Sequence, residues 1–591
     1  MGDFAPVQPQ NVPILELNKG IILNKSPQRL DPGALLDCSN YFVTPNGLKR
    51  RPGIVRYGSG SIDYQPMVDI ASFYEADGSQ STILVDSKFI YVATGSAFIG
   101  AYWVYDTGTI SATGAAVTGS STSWNTAASK TLAGDVMILD ADGSGDGPEE
   151  IEISAIGSDT AITLVSVPTG TYGAGTDYEI RRAFGSSKPE LVDYTYGVDH
   201  KLLFVDSNRA SITSYDGTDY EDLIASLDFI PSCITYFSDR IWVARLIESS
   251  VDYRQRIRWT NAGSFTEFPA ANYIDLPYIH GKIQRLLGMG NLLIAYFEDA
   301  IFLGRPSNYV GLPYAFDRMD TGTLGLVGMK ALTSWLDSHF FVAQDDIYML
   351  SNEGLKRIGT PIISRTIKEC SNLWKIYAVV DAENDRICFG FPKSGENITE
   401  IWSWNYKSNG WSYDTVICDS LASVPFVPKI TWGDMTTETW TTGITGYTSW
   451  DSLLNIVVNR SLYLGNAGEL LYYSSANSQD TGVTISGTFI TPDFDLGAPD
   501  IDKSWNRVSL KTEKVVPSTV TFAVSGSLDR GNTWTSFGNL VVHADTDEGK
   551  IDFMITGSLC RFRFVSVTNV VPYVVNELVF RARPRGLEVT Q

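Results

Sequence analysis

A short apolar run, a tight turn and a second short run recur along this chain, and that repetition restricts the fold more than any other feature. The units are ILVDSKFIYVATG from Ile83, KLLFVDSNRASITSYDG from Lys201, RIWVARLIESSVDYRQRIRWTN from Arg240, NLLIAYFEDAIFLG from Asn291, HFFVAQDDIYMLSNEG from His339, RICFGFPKSGENITEIWSWN from Arg386 and SLYLGNAGELLYYSS from Ser461. Each alternates apolar and polar residues or forms a brief buried run, bounded by Gly, Asp or Asn. In the middle of the chain the starts are roughly 40–50 residues apart, the length of one four-stranded propeller blade. Helical periodicity is nearly absent. The expected fold class is all-β, a β-propeller of about seven blades, with six to eight compatible with the spacing.

Two gaps break the period. Between the first and second units the gap is too long by about 75 residues, and it carries its own strand set, DVMILD, EIEISAI, AITLVSV and DYEIRR. That is the content of a small β-barrel inserted in a loop between blades, because loops with close ends tolerate insertions. The second gap, before Ser461, places Trp432, Trp440 and Trp450 about 8–10 residues apart, as in short successive strands. They read as packing residues, or as exposed aromatics at an interface. From about Gly482 the strands lengthen to sandwich spacing. The expected division is an N-terminal arm with a ring-closing strand (1–62), a first blade (63–108), the inserted β-barrel (109–182), the remaining blades (183–481) and a C-terminal β-sandwich (482–591).

Composition narrows the function. The 591 residues carry 45 Lys+Arg against 67 Asp+Glu, a formal net charge of −22. Such a surface repels DNA and anionic membranes and lacks the basic stripe of a nucleic-acid binder. No apolar run approaches the ~18 residues of a membrane span, and the start MGDFAPVQPQNVP has neither the basic nor the apolar region of a secretion signal. The 6 cysteines are scattered without CxxC spacing, as expected of free buried thiols made in a reducing cytoplasm.

Little in the sequence nominates a catalyst. There is no Gly-x4-Gly-Lys-Ser/Thr loop and no HExxH pair, and the 4 histidines, His200, His280, His339 and His543, stand isolated. No cofactor is expected. SLDRGNTW, residues 527–534, fits the Asp-box pattern found in sialidases and related propellers, with Ser527, Asp529, Gly531, Thr533 and Trp534 at the pattern positions. Its physical reading is a hairpin: Asp529 accepts from the turn backbone, Gly531 takes positive φ and Trp534 buries its ring under the turn. The loop DADGSGDGPEE offers Asp140, Asp142 and Asp146 as candidate calcium ligands, but Ile151 stands where a bidentate acid is wanted. A solvated acidic hairpin is the competing reading. In GLKRRPG, Gly47 permits a tight turn and Pro52 and Gly53 set up a strand from about Ile54. That strand would close the propeller ring, and Lys49, Arg50 and Arg51 could instead, or in addition, form a basic docking patch for a neighbouring subunit.

The N-terminal block LNKGIILNKSPQRLDPGALLDCSNYFVTPNGLKRRPGIVRYG, through Gly20, Leu30, Gly33, Asn40, Gly47, Arg51, Pro52 and Gly53, resembles the opening of the tail nozzle proteins (tail tubular protein B) of short-tailed bacteriophages and the related packaged-DNA-stabilisation proteins. The inserted barrel and the entry TPDFDLGAP to the last domain are similar too. The resemblance implies a non-enzymatic virion protein, made in the host cytoplasm and located in the tail. It implies a homohexameric ring below the portal and adaptor, bearing tail fibres or tailspikes. Such a ring encloses double-stranded DNA without binding it tightly. The alternative is a carbohydrate-binding or sialidase-like propeller of a virion or cell surface, and a tail-fibre adaptor differs from the nozzle only in position.

Overall fold

The computed structural model describes residues 10–585 except 63–65, 75–79, 95–96, 127–130, 146, 184–191, 198–200, 207–208, 219, 225–226, 278–279, 310, 427–458, 476, 515, 517 and 567–572. Trp432, Trp440 and Trp450 therefore lie outside the described residues. Seven antiparallel four-stranded units follow one another, six as separate sheets and one as the start of a larger sheet. They span 69–100, 192–224, 229–275, 283–318, 332–357, 377–418 and 420–474, and are called blades 1 to 7 below. The protein is an all-β propeller. Each repeated hairpin of the sequence is the middle pair of strands of one blade, as with Leu292–Phe297 and Ile301–Pro306 in blade 4.

The apolar runs are nearly continuous because both faces of a blade are buried. In blade 2, Leu202 and Phe204 pack with Phe73 and Ile83 of blade 1, while Leu203 and Val205 pack with Ile234 and Ile241 of blade 3. Alternate side chains of one strand thus serve two interfaces. The series continues with Trp242 and Phe302 between blades 3 and 4, Tyr296, Phe341 and Phe389 through blades 4 to 6, Cys388 and Leu464 between 6 and 7, and Leu470 with Ile70 between 7 and 1. Every fully buried Leu or Phe in that ring contributes about 1.5–3 kcal/mol.

The ring closes through a strand from the other end of the chain. Gly53–Arg56 lies antiparallel to Glu469–Ser474, with Ile54 opposite Tyr473, and is the fourth strand of blade 7. Closure gives blade 7 its outer strand and ties the last blade to the start of the chain. Several hairpins turn through two successive left-handed residues, Ser238–Asp239 and Ser249–Ser250 in blade 3 and Leu336–Asp337 in blade 5. That conformation matches the twist of the flanking strands, although none of the three pairs contains the glycine that signals such a turn in a sequence.

The segment before residue 53 does not stand apart as an arm. Gln10–Ile14 pairs with Val574–Pro584, and Tyr41–Thr44 and Gly47–Arg50 extend the same sheet, whose other strands are Lys503–Thr512 and Glu548–Gly557. Asp37–Ser39 joins the facing sheet of Gly487–Ile490, Arg561–Ser566, Val520–Ser527 and Thr535–Val542. The sandwich is thus built from both ends of the chain. Its second sheet continues through a parallel contact of Ser39 with Tyr413 into blade 6, so propeller and sandwich share one core.

The insertion is a separate barrel. Its seven strands run in the order Thr109–Thr113, Ala116–Ser120, Ala161–Leu164, Glu149–Ser158, Val136–Leu139, Tyr178–Arg181 and Val104–Tyr105, so the sheet begins before the expected boundary at 109. Paired backbone bonds between Ile110 and Thr176, 2.9 and 3.1 Å, join the ends. Trp124 fills the interior and donates to the Tyr178 hydroxyl at 2.9 Å.

Candidate functional site

The N-terminal block is a joint, and its glycines are explained by contact. At Gly20, φ +66, a Cβ would stand 2.3 Å from the Trp411 nitrogen, and at Gly53 one would stand 2.2 Å from the Gln479 carbonyl oxygen. Asn40 adopts φ 58 and ties three elements together. Its amide donates to Thr415 Oγ1 and the Ser486 carbonyl, and its Oδ1 accepts from Arg51 Nε at 2.8 Å. Arg51 forks onto Asp480 at 2.9 and 2.5 Å. Arg50 donates to the carbonyls of Asn40 and Ile485 and lies over the Tyr41 ring. Beneath them Arg386 stacks 3.5 Å from the centre of the Phe42 ring and bonds Asp381 and Asp414. Burial pushes the Asp414 carboxyl up, and Arg386 and then Arg51 pull it down.

This geometry corrects the docking reading of the basic run. Arg50 and Arg51 are 3% and 1% exposed, so neither presents charge to a neighbouring molecule. A guanidinium in that position costs several kcal/mol to desolvate and is retained by fixed carboxylate and carbonyl partners. Lys49, half-buried, donates to Asn384 Oδ1 at 3.0 Å. The three residues fasten the ring-closing strand to the sandwich and to blade 6.

The Asp-box folds as a turn between Val520–Ser527 and Thr535–Val542. Asp529 accepts from the Thr533 amide at 2.8 Å and the Thr533 hydroxyl at 2.6 Å, and Ser527 Oγ bridges Asp529 and the Gly531 amide. Gly531 has φ +94. Those donors hold the Asp529 pKa down at about 2, the Thr533 hydroxyl first. One detail differs from the sequence reading: Trp534 is half-buried, not sealed under the turn, and the Arg563 guanidinium covers its ring at 4.5 Å.

The acidic loop is organised by Asp140. Its carboxylate is 2% exposed residue-wide and accepts from the amides of Gly145 and Gly147. Asp142 accepts from the Ser144 amide, and Asp146 lies outside the described residues. Among the described residues no three His, Cys, Asp or Glu side chains converge on a metal-sized site. His339 is a core residue, bonded to Tyr296 and the Gly288 carbonyl, and burial holds its pKa down at about 4. None of the six cysteines is in a disulfide; Cys370 is half-buried and the others are buried. No described helix is long and apolar enough to cross a membrane.

Two buried charge clusters escaped the sequence reading because their members are far apart in the chain. Asp135, 0% exposed at the foot of the barrel, binds Arg182 at 3.1 Å and Arg209 of the propeller at 2.8 Å. Arg182 also binds Asp222 of blade 2 at 2.5 Å and lies over Trp103. The barrel is therefore bolted to blade 2. Lys330, entering blade 5, pairs with Asp69 of blade 1, 261 residues away, and so spans the propeller axis. Tyr377 adds a hydroxyl bond of 2.6 Å from blade 6 to the Val68 carbonyl.

Neither a family model nor a curated protein matches the chain. Among solved structures, the extracellular domain of a one-component system, BT4673, from B. thetaiotaomicron is 9% identical over 86% of this chain and 67% of that one, with a TM-score of 0.30. A second structure, described as the extracellular domain of the hybrid two-component system BT4673, aligns with 63% of this chain at 12% identity and a TM-score of 0.27, and only 41% of that protein is covered. An exo-beta-1,3-galactanase from Phanerochaete chrysosporium is 8% identical over 66% of this chain and 95% of that one, with a TM-score of 0.22. At TM-scores this low the likeness carries no argument about a site or an activity.

Proposed function

We propose that the chain is a structural component of a bacteriophage short tail, a nozzle subunit that assembles as a homohexamer around the axial DNA channel below the portal and adaptor. In that role it retains the genome and then passes it during ejection, without catalysis, and adjoins tail fibres or tailspikes. The observation that carries the reading is the nozzle-like N-terminal block. Its pattern residues Gly20, Asn40, Arg51 and Gly53 are the ones that knit blade 6, blade 7 and the sandwich together. A wall around pressurised DNA is served by a joint of that kind, which resists hinging between domains. The charge fits as well. At −22 per chain, six copies carry about −130, and a like-charged lumen lets DNA slide. DNA would run between subunits, since the Asp69–Lys330 pair crosses the propeller's own axis.

Duplex binding by the purified chain across a salt series tests the reading. Almost no binding is expected at any salt. Tight binding that falls steeply with salt, the mark of counterion release, would refute the like-charged lumen. Release of sugar from fluorogenic glycosides would favour the sialidase-like alternative.

A further inference from the structure

The first strands of blades 1, 4, 5, 6 and 7 line an open cavity of about 270 Å³ on the propeller axis. Its charged lining among the described residues is Asp69, Lys330 and Arg285. Asp69 and Lys330 are spent on each other. Arg285 is not neutralised in the same way: Nη1 donates to the carbonyls of Met329 and Leu332 at 3.3 and 3.2 Å, and no described carboxylate pairs with it. Its Nε and Nη2, the two donors that grip an oxyanion side by side, make no hydrogen bond to the described residues. Thr333, Ser334 and Ser423 share the wall, and Ser423 Oγ is buried without a partner. Among the described residues the cavity thus carries one surplus positive charge, inside a chain of net −22.

We infer that the axial cavity is a binding site for a small oxyanion, with the open edge of the Arg285 guanidinium as its principal donor and the wall hydroxyls completing the shell. The volume suits a group of a few heavy atoms and is below that of most drug-sized pockets. The shared chemistry is a phosphate or a carboxylate, and the site is independent of any role in a tail.

Calorimetric titration of the full chain at low ionic strength, with inorganic phosphate in one arm and malonate in the other, tests the inference and separates the two sources. Saturable binding of at least one anion is expected, weakened about tenfold or more in Arg285→Gln, as for loss of a charge-assisted pair. Arg285→Gln also removes the bonds to Met329 and Leu332, so Ser334→Asp supplies an independent test. It keeps Arg285 in place, adds a negative charge to the wall, and should weaken binding by a similar factor. Absence of saturable binding by either anion, or unchanged affinity in the folded Ser334→Asp variant, would overturn the assignment.

Discussion

Replacing Asp135 with Asn removes one negative charge from beneath the barrel and leaves the shape of the side chain almost unchanged. The carboxylate holds two guanidinium groups, Arg182 at 3.1 Å and Arg209 at 2.8 Å, and accepts from the Leu132 amide. At an effective dielectric of about 20, each such pair is worth roughly 4 kcal/mol, most of it offset by the cost of desolvating the charges. The losses are unequal. Arg182 keeps Asp222, whereas Arg209 loses its only carboxylate among the described residues and already has Nε and Nη1 unpartnered. Stranding a buried charge in this way costs about 3–5 kcal/mol. Asp135→Asn should therefore destabilise the unit formed by the barrel and blade 2 by that amount, read from denaturant unfolding and from proteolytic release of the barrel. Adding Arg209→Met should recover part of the loss, because the stranded cation is gone. A loss under about 1 kcal/mol, or a double variant no better than the single one, would refute the account of the barrel as rigidly bolted.

Arg51→Met should cost about 1–3 kcal/mol and expose the segment before residue 53 to protease first, since half-buried Asp480 and Asn40 lose their shared partner. His339 is buried neutral with its pKa at about 4, below the unfolded value near 6.5. Its contribution is full above pH 6.5 and lost as pH falls toward 4; between pH 7.5 and 5 the wild type should lose about 2 kcal/mol more than His339→Gln. Asp529→Ala should speed amide exchange at Gly531 and Thr533 with no loss of any hydrolase activity. In the wild type that hairpin should hold above the usual carboxylate range and open as pH falls through about 2.

The parts of the fold legible in the sequence are those encoded locally. A blade's middle hairpin is about twenty contiguous residues, a short apolar run, a turn and a second run, so RIWVARLIESSVDYRQRIRW announces its own pairing. The barrel showed itself by breaking the period. The Asp-box reads correctly as a turn because its donors and acceptor lie within seven residues of one another. Pairing between the ends of the chain has no such signature. Nothing in QNVPI says that it lies along Val574–Pro584, and that pairing is what places Gln10–Ile14 in the sandwich. The same holds for the charges. Arg50 and Arg51 look like a surface patch because neither Ile485 nor Asp480 is nearby in sequence. Arg285 draws no attention until the first strands of five blades converge around it.

The most direct test of the central claim is electron cryomicroscopy of the purified chain, alone and in the tailed particle proposed to carry it. A ring of six copies on the tail axis is expected, with a lumen between subunits wide enough for a DNA duplex and each propeller axis closed at Asp69 and Lys330. A monomer on finished particles, or a position away from the tail axis, would contradict it.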